Sequence, residues 1–236
     1  MNSLSHIIEP VKLLLTWQPT DQNALPRTRR VVGEVLPLPD SEQWVFRYRW
    51  RTPDFEAAKD AGFQGYPAFR LEQRDFTSGV RDAFMRRLPP RYRGDFDDFL
   101  MMHKLPVPFT GSDLALLGYT GARLPSDGFG FVPEFGESVQ PCQYILEVAG
   151  VRHVYGNNLS GLAVGDDIEF RPEPDNVVDA DAIAVYRGDR KLGYVNRAML
   201  GTFSRWIQAA RVKARIERLN GKPERPLVYV RVDVDC

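Results

Sequence analysis

Apolar and polar positions alternate with a period near two along several short stretches of the chain, the spacing of half-buried strands. Val11-Lys12-Leu13-Leu14-Leu15-Thr16-Trp17 predicts a first strand, followed by a Pro-bounded loop containing Asn23 to Thr28. Arg30 to Leu36 and Trp44 to Trp50 then predict an antiparallel pair: Val31, Gly33 and Val35 alternate with Val32 and Glu34, and Val45, Phe46, Tyr48 and Trp50 suit a pleated surface. The period changes after Trp50. Phe55 to Gly62 predicts a short helix stopped by its glycine, and Phe76, Val80, Phe84 and Leu88 recur at four-residue spacing, predicting a helix over Asp75 to Leu88 with one buried stripe. Phe96, Phe99, Leu100 and His103, then Leu114, Leu116 and Leu117, predict two further helical segments around Pro106 and Pro108.

The second half returns to strands. Glu173-Pro174-Asp175-Asn176 is rich in turn formers, and Asp179 can bond its own backbone before Ile183 and Val185 begin an inward-facing alternation. Arg187-Gly188-Asp189-Arg190 predicts a hairpin connection, Lys191 to Val195 the returning strand, and Arg197 the opening of a helix that runs through Trp206 and Ile207. Phe203 and Trp206 on that helix suit the closing of a barrel. Between the halves, Pro, Gly, Ser and Asp cluster around Phe129, Phe131 and Phe135, which predicts a connector with aromatic anchors over 125–142.

Composition bounds the class. The 236 residues suit two domains of ordinary size, and 43% hydrophobic content supports true cores. No stretch approaches the roughly 20 apolar residues of a membrane span, and Met1 to Pro10 lacks the layout of a secretory signal, so a soluble, cytoplasmic protein is expected. Cys142 and Cys236 form neither a disulfide framework nor a zinc pattern, and are expected as thiols. His6, His103 and His153 are scattered, so no metal site and no cofactor is expected. The acids Glu169, Glu173, Asp175, Asp179 and Asp181 invite a two-metal nuclease reading. Turn chemistry accounts for two of them, and no Lys or His is spaced to complete such a motif.

Thirty-one basic and thirty-one acidic side chains cancel, so distribution matters more than sum. Arg205, Arg211, Lys213, Arg215, Arg218, Lys222 and Arg225 face only Glu217 and Glu224. A solvated helix face and a phosphate-tracking surface both fit that run. The arginines from Arg70 to Arg93 outnumber Glu72, Asp75 and Asp82, with a solvated face again the plain reading.

The run from Glu173 to Val185, closed by Leu192-Gly193-Tyr194-Val195 and preceded by Val148-Ala149-Gly150-Val151-Arg152, resembles the HIRAN family. Members of that family occur alone or fused to helicases and nucleases in DNA repair. The resemblance covers roughly 143–236 and implies a small antiparallel β-barrel with accessory helices that holds the 3′ end of single-stranded DNA. It carries the family's base-clamping Arg to Arg152, its hydroxyl-binding carboxylate to Asp179, and a phosphate-binding Lys to Arg197. Two positions depart, since the family's aromatic rings become His153 and Val178, and base stacking on a ring is worth about 1–3 kcal/mol. Binding to duplex or backbone does not need those rings.

Arg152 offers a flat face and five donors, against the alternative of a rim salt bridge. His153 can stack and donate to phosphate. Tyr155 and Tyr194 are candidate platforms or ordinary barrel tyrosines, Asn176 a turn residue beside the site, and Lys191 and Arg197 phosphate contacts or solvated cations.

A second resemblance lies in Val32-Gly33-Glu34-Val35, Phe46-Arg47-Tyr48, Arg86-Arg87-Leu88-Pro89 and Ser112-Asp113-Leu114-Ala115-Leu116-Leu117-Gly118. That order is similar to the small N-terminal subdomain of HipA-type toxin kinases, over roughly 28–135. It implies docking to a kinase or to a helix-turn-helix antitoxin. Nothing in the chain supplies a kinase body.

The expectation is an α+β, mostly β protein: a small α+β domain over 1–124, a connector over 125–142, and a HIRAN-like antiparallel barrel with accessory helices over 143–236. Its expected function is non-enzymatic binding of single-stranded DNA or DNA ends, in genome maintenance or defence against foreign DNA. The alternative is an interaction module for a HipA-like kinase or helix-turn-helix protein, and a subunit recruiting a nuclease or helicase is a third reading.

Overall fold

The computed structural model describes residues 3–20, 28–39, 41–124, 126–222 and 224–236. The loop expected over Asn23 to Thr28 lies, but for Thr28, outside the described residues. Two compact units divide the described residues: Ser3 together with Glu9–Gly136, and Leu4–Ile8 together with Glu137–Cys236.

The first unit carries β1 (Lys12–Trp17), β2 (Arg30–Pro37), β3 (Trp44–Tyr48), α1 (Pro53–Asp60), α2 (Val80–Met85), α3 (Phe96–Met102), α4 (Asp113–Thr120) and β4 (Phe129–Glu134). Its strands form an antiparallel sheet in the order β3-β2-β1-β4. Phe46 centres an aromatic core, with ring centroids of Tyr48, Phe69, Phe84 and Phe76 at 4.8, 5.0, 5.4 and 6.0 Å. It packs over Gly33, where a side chain would come within 2.6 Å of the Phe46 ring. The Tyr48 hydroxyl is buried but satisfied, donating to the Phe69 carbonyl (2.7 Å) and accepting from the Tyr66 N–H (2.8 Å), and burial pushes its pKa up to about 12.

Two expectations change here. The helix expected over Asp75 to Leu88 is confined to α2. Phe76 instead exchanges backbone hydrogen bonds with Phe46 (2.8 and 2.9 Å), and Gly79, at φ 67°, turns the chain before the helix starts. All four stripe residues are buried, so the spacing marked burial but not conformation. The segment expected as a connector holds β4, which pairs with β1 from Lys12↔Glu134 to Trp17↔Phe129 and buries Phe129 and Phe131. Its composition misleads because Pro133 sits in an edge strand, where a missing N–H is tolerated.

The arginine-rich stretch of this unit is largely paired. Arg74 meets Glu72 (2.9 Å), Arg81 and Arg91 share Asp113 (2.7 Å each), and Arg93 meets Asp95 (2.5 Å). Arg87 is buried and donates to both Asp127 oxygens (2.6 and 3.0 Å) and to the Ala122 carbonyl (2.9 Å), stapling the end of α2 to the entry of β4.

The second unit carries β5 (Cys142–Glu147), α5 (Val151–Val154), β6 (Asp167–Pro172), β7 (Ile183–Arg187), β8 (Arg190–Tyr194), a 3₁₀ turn (Arg197–Met199), α6 (Leu200–Ala209), β9 (Arg211–Lys222) and β10 (Arg225–Asp235). The strands form one antiparallel sheet in the order β5-β10-β9-β6-β7-β8. This sheet curls until its ends meet. Just past β5, Ala149 exchanges backbone hydrogen bonds with Tyr194 at the end of β8 (2.8 and 2.9 Å). The close approach needs Gly193, since a Cβ there would lie 2.3 Å from the Ala149 carbonyl oxygen and 2.9 Å from Val148 Cγ1.

Inside the curl pack Tyr144 and Leu146 of β5, Ile216 of β9, and Val228, Val230, Val232 and Val234 of β10. On α6 the buried Thr202, Phe203 and Trp206 form one stripe, and Phe203 meets Phe170 at 5.0 Å and Trp206 at 5.1 Å. The segment Leu4–Ile8 belongs to this unit through Gln143, whose side-chain oxygen accepts from Ser5 N–H (2.7 Å) and whose own N–H donates to the His6 carbonyl (2.8 Å).

The basic run from Arg205 to Arg225 is not a helix face, because all of it beyond Arg205 lies on the β9–β10 hairpin. Arg211, Lys213 and Arg215 alternate with the inward Val212, Ala214 and Ile216, and Lys213 meets Asp235 at 3.3 Å. Among the described residues no helix is long and apolar enough to cross a membrane.

Replacing Gly193 by Ala is expected to destabilise the second unit by about 2 kcal/mol or more, because the obstruction is backbone and cannot rotate away. Thermal unfolding with separate reporters in the two units checks this. The first unit is expected to keep its wild-type transition.

Candidate functional site

The Glu173–Ala182 loop is organised by its own side chains. The Asn176 side-chain oxygen accepts from the N–H groups of Val178 (3.0 Å) and Asp179 (3.2 Å), and Asp179 Oδ1 accepts from Asp181 N–H (3.1 Å). Backbone bonds Asn176 N–H to Glu173 (3.0 Å), Ala182 to Asp179 (3.0 Å) and Glu173 to Ala182 (2.8 Å) close the turn. The result holds Val177 and Val178 in solvent, at 101% and 82% exposure. The turn-former pattern of Asn176 and Asp179 accounts for these bonds.

Strand β8 faces the loop through a bulge. Val185 pairs with Gly193 and Tyr186 with Lys191, so Leu192 is the extra residue. That irregularity brings Lys191 and Tyr194, three positions apart, to one side, with Lys191 Nζ 3.3 Å from the Tyr194 hydroxyl. Lys191 forms an ion pair with Glu173, which also accepts from Asn176 Nδ2 (3.1 Å) and Tyr186 OH (3.5 Å). Asn176 Nδ2 reaches the Tyr194 hydroxyl as well (3.4 Å). The Lys191 hydrogen bond holds the Glu173 carboxyl below its ordinary pKa, and Glu173 in turn holds Lys191 above the usual lysine value. Arg171 lies 4.3 Å over the Tyr186 ring and extends the cluster along β6.

Beyond the loop, Arg197 places Nε and Nη2 each 2.9 Å from Asp179 Oδ2. The carboxylate expected at a terminal hydroxyl and the cation expected at phosphate therefore hold each other. Lys191 is committed to Glu173 in the same way.

A second group starts at the bridge that closes the sheet. Gly150, at φ 74°, turns the chain from Ala149 into α5, which presents Arg152 and His153 to solvent and buries Tyr155. Arg152 Nη1 donates to the Glu224 carbonyl (3.4 Å) at the turn between β9 and β10, in place of a rim salt bridge. Arg190, at the start of β8, lays its guanidinium 3.8 Å over the Tyr155 ring. Among the described residues neither Arg152 nor Arg190 is paired with a carboxylate.

The structure thus gathers Asn176, Lys191 and Tyr194 around Glu173, with the Asp179–Arg197 pair joined to them through Asn176, and Arg152, His153 and Tyr155 beside Arg190. Both groups meet at β8, which carries Arg190, Lys191 and Tyr194. Sequence reasoning placed Arg190 only in the hairpin turn, read Glu173 as a turn residue and one of the acids of a two-metal nuclease, and left out Arg171 and Tyr186. Their signal is the pairing of β6 with β7 and of β7 with β8. Among the described residues no group of three or more His, Cys, Asp or Glu is placed to hold a metal.

The HIRAN domain family matches residues 143–234. Among solved structures, the HIRAN domain of human HLTF is similar at 14% identity, with a TM-score of 0.32, covering 39% of this chain and 74% of that one. A protein from Lactobacillus plantarum is similar at 22% identity, with a TM-score of 0.30, covering 39% of this chain and 92% of its own. No curated protein matches the chain. The family match does not extend to the region that resembles the HipA-type subdomain.

The Glu173–Lys191 pair carries a pH signature. The lowered carboxyl contributes stability above the ordinary Glu pKa of about 4.3 and loses it as pH falls through the folded value. The raised Lys191 contributes below about 10.4 and loses it as pH rises through its own. Protection of the Val178 and Asp179 amides in hydrogen exchange is therefore expected to stay level between those limits. Glu173→Gln is expected to lower it by about 0.5–1 kcal/mol and to abolish the acid step.

Proposed function

We propose that the second unit, a HIRAN domain by its match over residues 143–234, binds a single DNA strand or DNA end at the Arg152–Tyr155 turn and the start of β8. The protein is a non-enzymatic DNA-binding protein on this reading, serving genome maintenance or defence against foreign DNA. The carrying observation is that the position the family resemblance assigns to its base-clamping Arg is occupied by an exposed Arg152 with no carboxylate on it. A guanidinium in that state can bond a phosphate and lie on a base without first giving up an acid.

Arg190 supports the same reading. Stacked on Tyr155, it offers its outer face and remaining donors to a strand at low conformational cost. Arg197 and Lys191 enter differently, because phosphate at either must exchange with Asp179 or Glu173. Partly exposed pairs of this kind are worth about 1 kcal/mol or less, so the exchange is accessible to a polyanion. Val177 and Val178 stand beside Asp179 with their apolar groups in water, where a base face would cover them.

Fluorescence anisotropy with 3′-overhang, 5′-overhang and blunt substrates tests the reading. Arg152→Ala is expected to weaken single-strand binding by roughly 1–3 kcal/mol with an unchanged unfolding transition. Arg197→Gln is expected to lower the salt slope by about 0.7, one phosphate on a single strand. Unchanged binding in Arg152→Ala removes the site. Absence of binding to every substrate at low salt removes the DNA reading and turns attention to the protein partners implied by the first half, a HipA-like kinase or a helix-turn-helix protein.

A further inference from the structure

The first unit has a cleft of about 380 Å³ beside the outer end of β3, whose walls include Glu34, Arg47, Arg49, Trp50, Arg74 and Asp75. Its charges are resolved one by one. Arg47 Nε lies 2.6 Å from Glu34, a buried carboxylate that also receives Lys12 (3.2 Å), and Arg47 Nη1 lies 4.0 Å from Asp75. Burial works to raise the Glu34 carboxyl, but Arg47 and Lys12 outweigh it and hold the group below its ordinary value. Arg74 is held by Glu72 (2.9 Å) and lies 4.5 Å over the Phe76 ring.

Arg49 differs from its neighbours. It is half-buried, and among the described residues its guanidinium has no carboxylate, carbonyl or ring as partner. Its backbone is nonetheless fixed: its N–H donates to the Val32 carbonyl (3.0 Å) and its own carbonyl accepts from the Thr52 hydroxyl (2.8 Å). Next to it, the Trp50 indole N–H is held by the Glu72 carbonyl (3.2 Å), and Arg51 takes the left-handed conformation at φ 61°, unusual for a residue with a side chain. A guanidinium on a cleft wall with no protein acceptor keeps its donors in water, where an acceptor from outside can replace that water.

We propose that this cleft is an anion site in which Arg49 binds the phosphate of a phosphodiester, giving the protein a nucleic-acid contact separate from the one on the second unit. Charge fits in its placement: Arg47 is committed to Glu34 and Asp75 and Arg74 to Glu72, which leaves Arg49, among the described lining residues, as the guanidinium available to a monoanionic phosphodiester. The choice of a phosphodiester over another monoanion rests on the DNA-binding reading of the second unit. The site itself rests only on the cleft.

Ultraviolet cross-linking of the full chain to a dT oligonucleotide, mapped by mass spectrometry, separates the two. Wild type is expected to give adducts at residues 47–50 or 74 as well as within 150–197. Arg49→Gln is expected to lose the first set and keep the second, while Arg70→Gln, on an exposed residue outside the lining, keeps both. Adducts confined to 150–197, or unchanged in Arg49→Gln, overturn the cleft and leave the second unit's role standing. Adducts nowhere overturn both. In a parallel titration, dimethyl phosphate is expected to perturb Trp50 fluorescence with an affinity that falls about tenfold in Arg49→Gln. A response to acetate alone would assign the cleft to a carboxylate and overturn the phosphodiester.

Discussion

The closure of the six-stranded sheet rests on a single bridge, the pair of backbone hydrogen bonds between Ala149 and Tyr194. Each such bond contributes only about 1 kcal/mol net. Their value lies in what they locate: α5 with Arg152 and His153 on one side, and the Tyr194 hydroxyl that receives Asn176 and Lys191 on the other. Gly193 makes the bridge sterically possible and the Leu192 bulge aims the side chains around it. A functional surface made of loops is in this way referenced to a rigid curl of strands.

Around that bridge, charge is sorted rather than accumulated. Lys191 and Arg197 each hold a carboxylate of the same loop, while Arg152 and Arg190 hold none. The paired cations keep the loop in shape. The others hold no acid, so a chain of zero formal charge still presents locally unpaired guanidiniums. The arginine-rich stretch of the first unit is mostly of the paired kind, with Arg87 buried as a staple on Asp127.

Much of the fold is legible in the sequence where one signal dominates. The alternation in β2 and β3, the glycine of the β7–β8 hairpin and the stripe on α6 each point to a single local answer. Legibility fails where two signals compete. The spacing of Phe76, Val80, Phe84 and Leu88 imitates a helix although Phe76 is taken by the edge of β3, and Pro133 hides β4 inside a proline-rich stretch. For the site, the turn chemistry of Asn176 and Asp179 can be read directly. The ion pairs cannot, because each joins residues eighteen positions apart, and strict alternation would send Lys191 and Tyr194 to opposite faces. Only the bulge at Leu192 reverses that parity.

The seating of Leu4–Ile8 on Gln143 means that the second unit is assembled from two separated pieces of chain, with all of Glu9–Gly136 threaded between them. During synthesis the first unit can therefore complete its sheet as soon as β4 emerges, whereas Leu4–Ile8 must wait for β5 before finding a partner. Cutting the gene at Glu137 would release a second unit stripped of that early segment, with the Gln143 side chain deprived of its contact to Ser5.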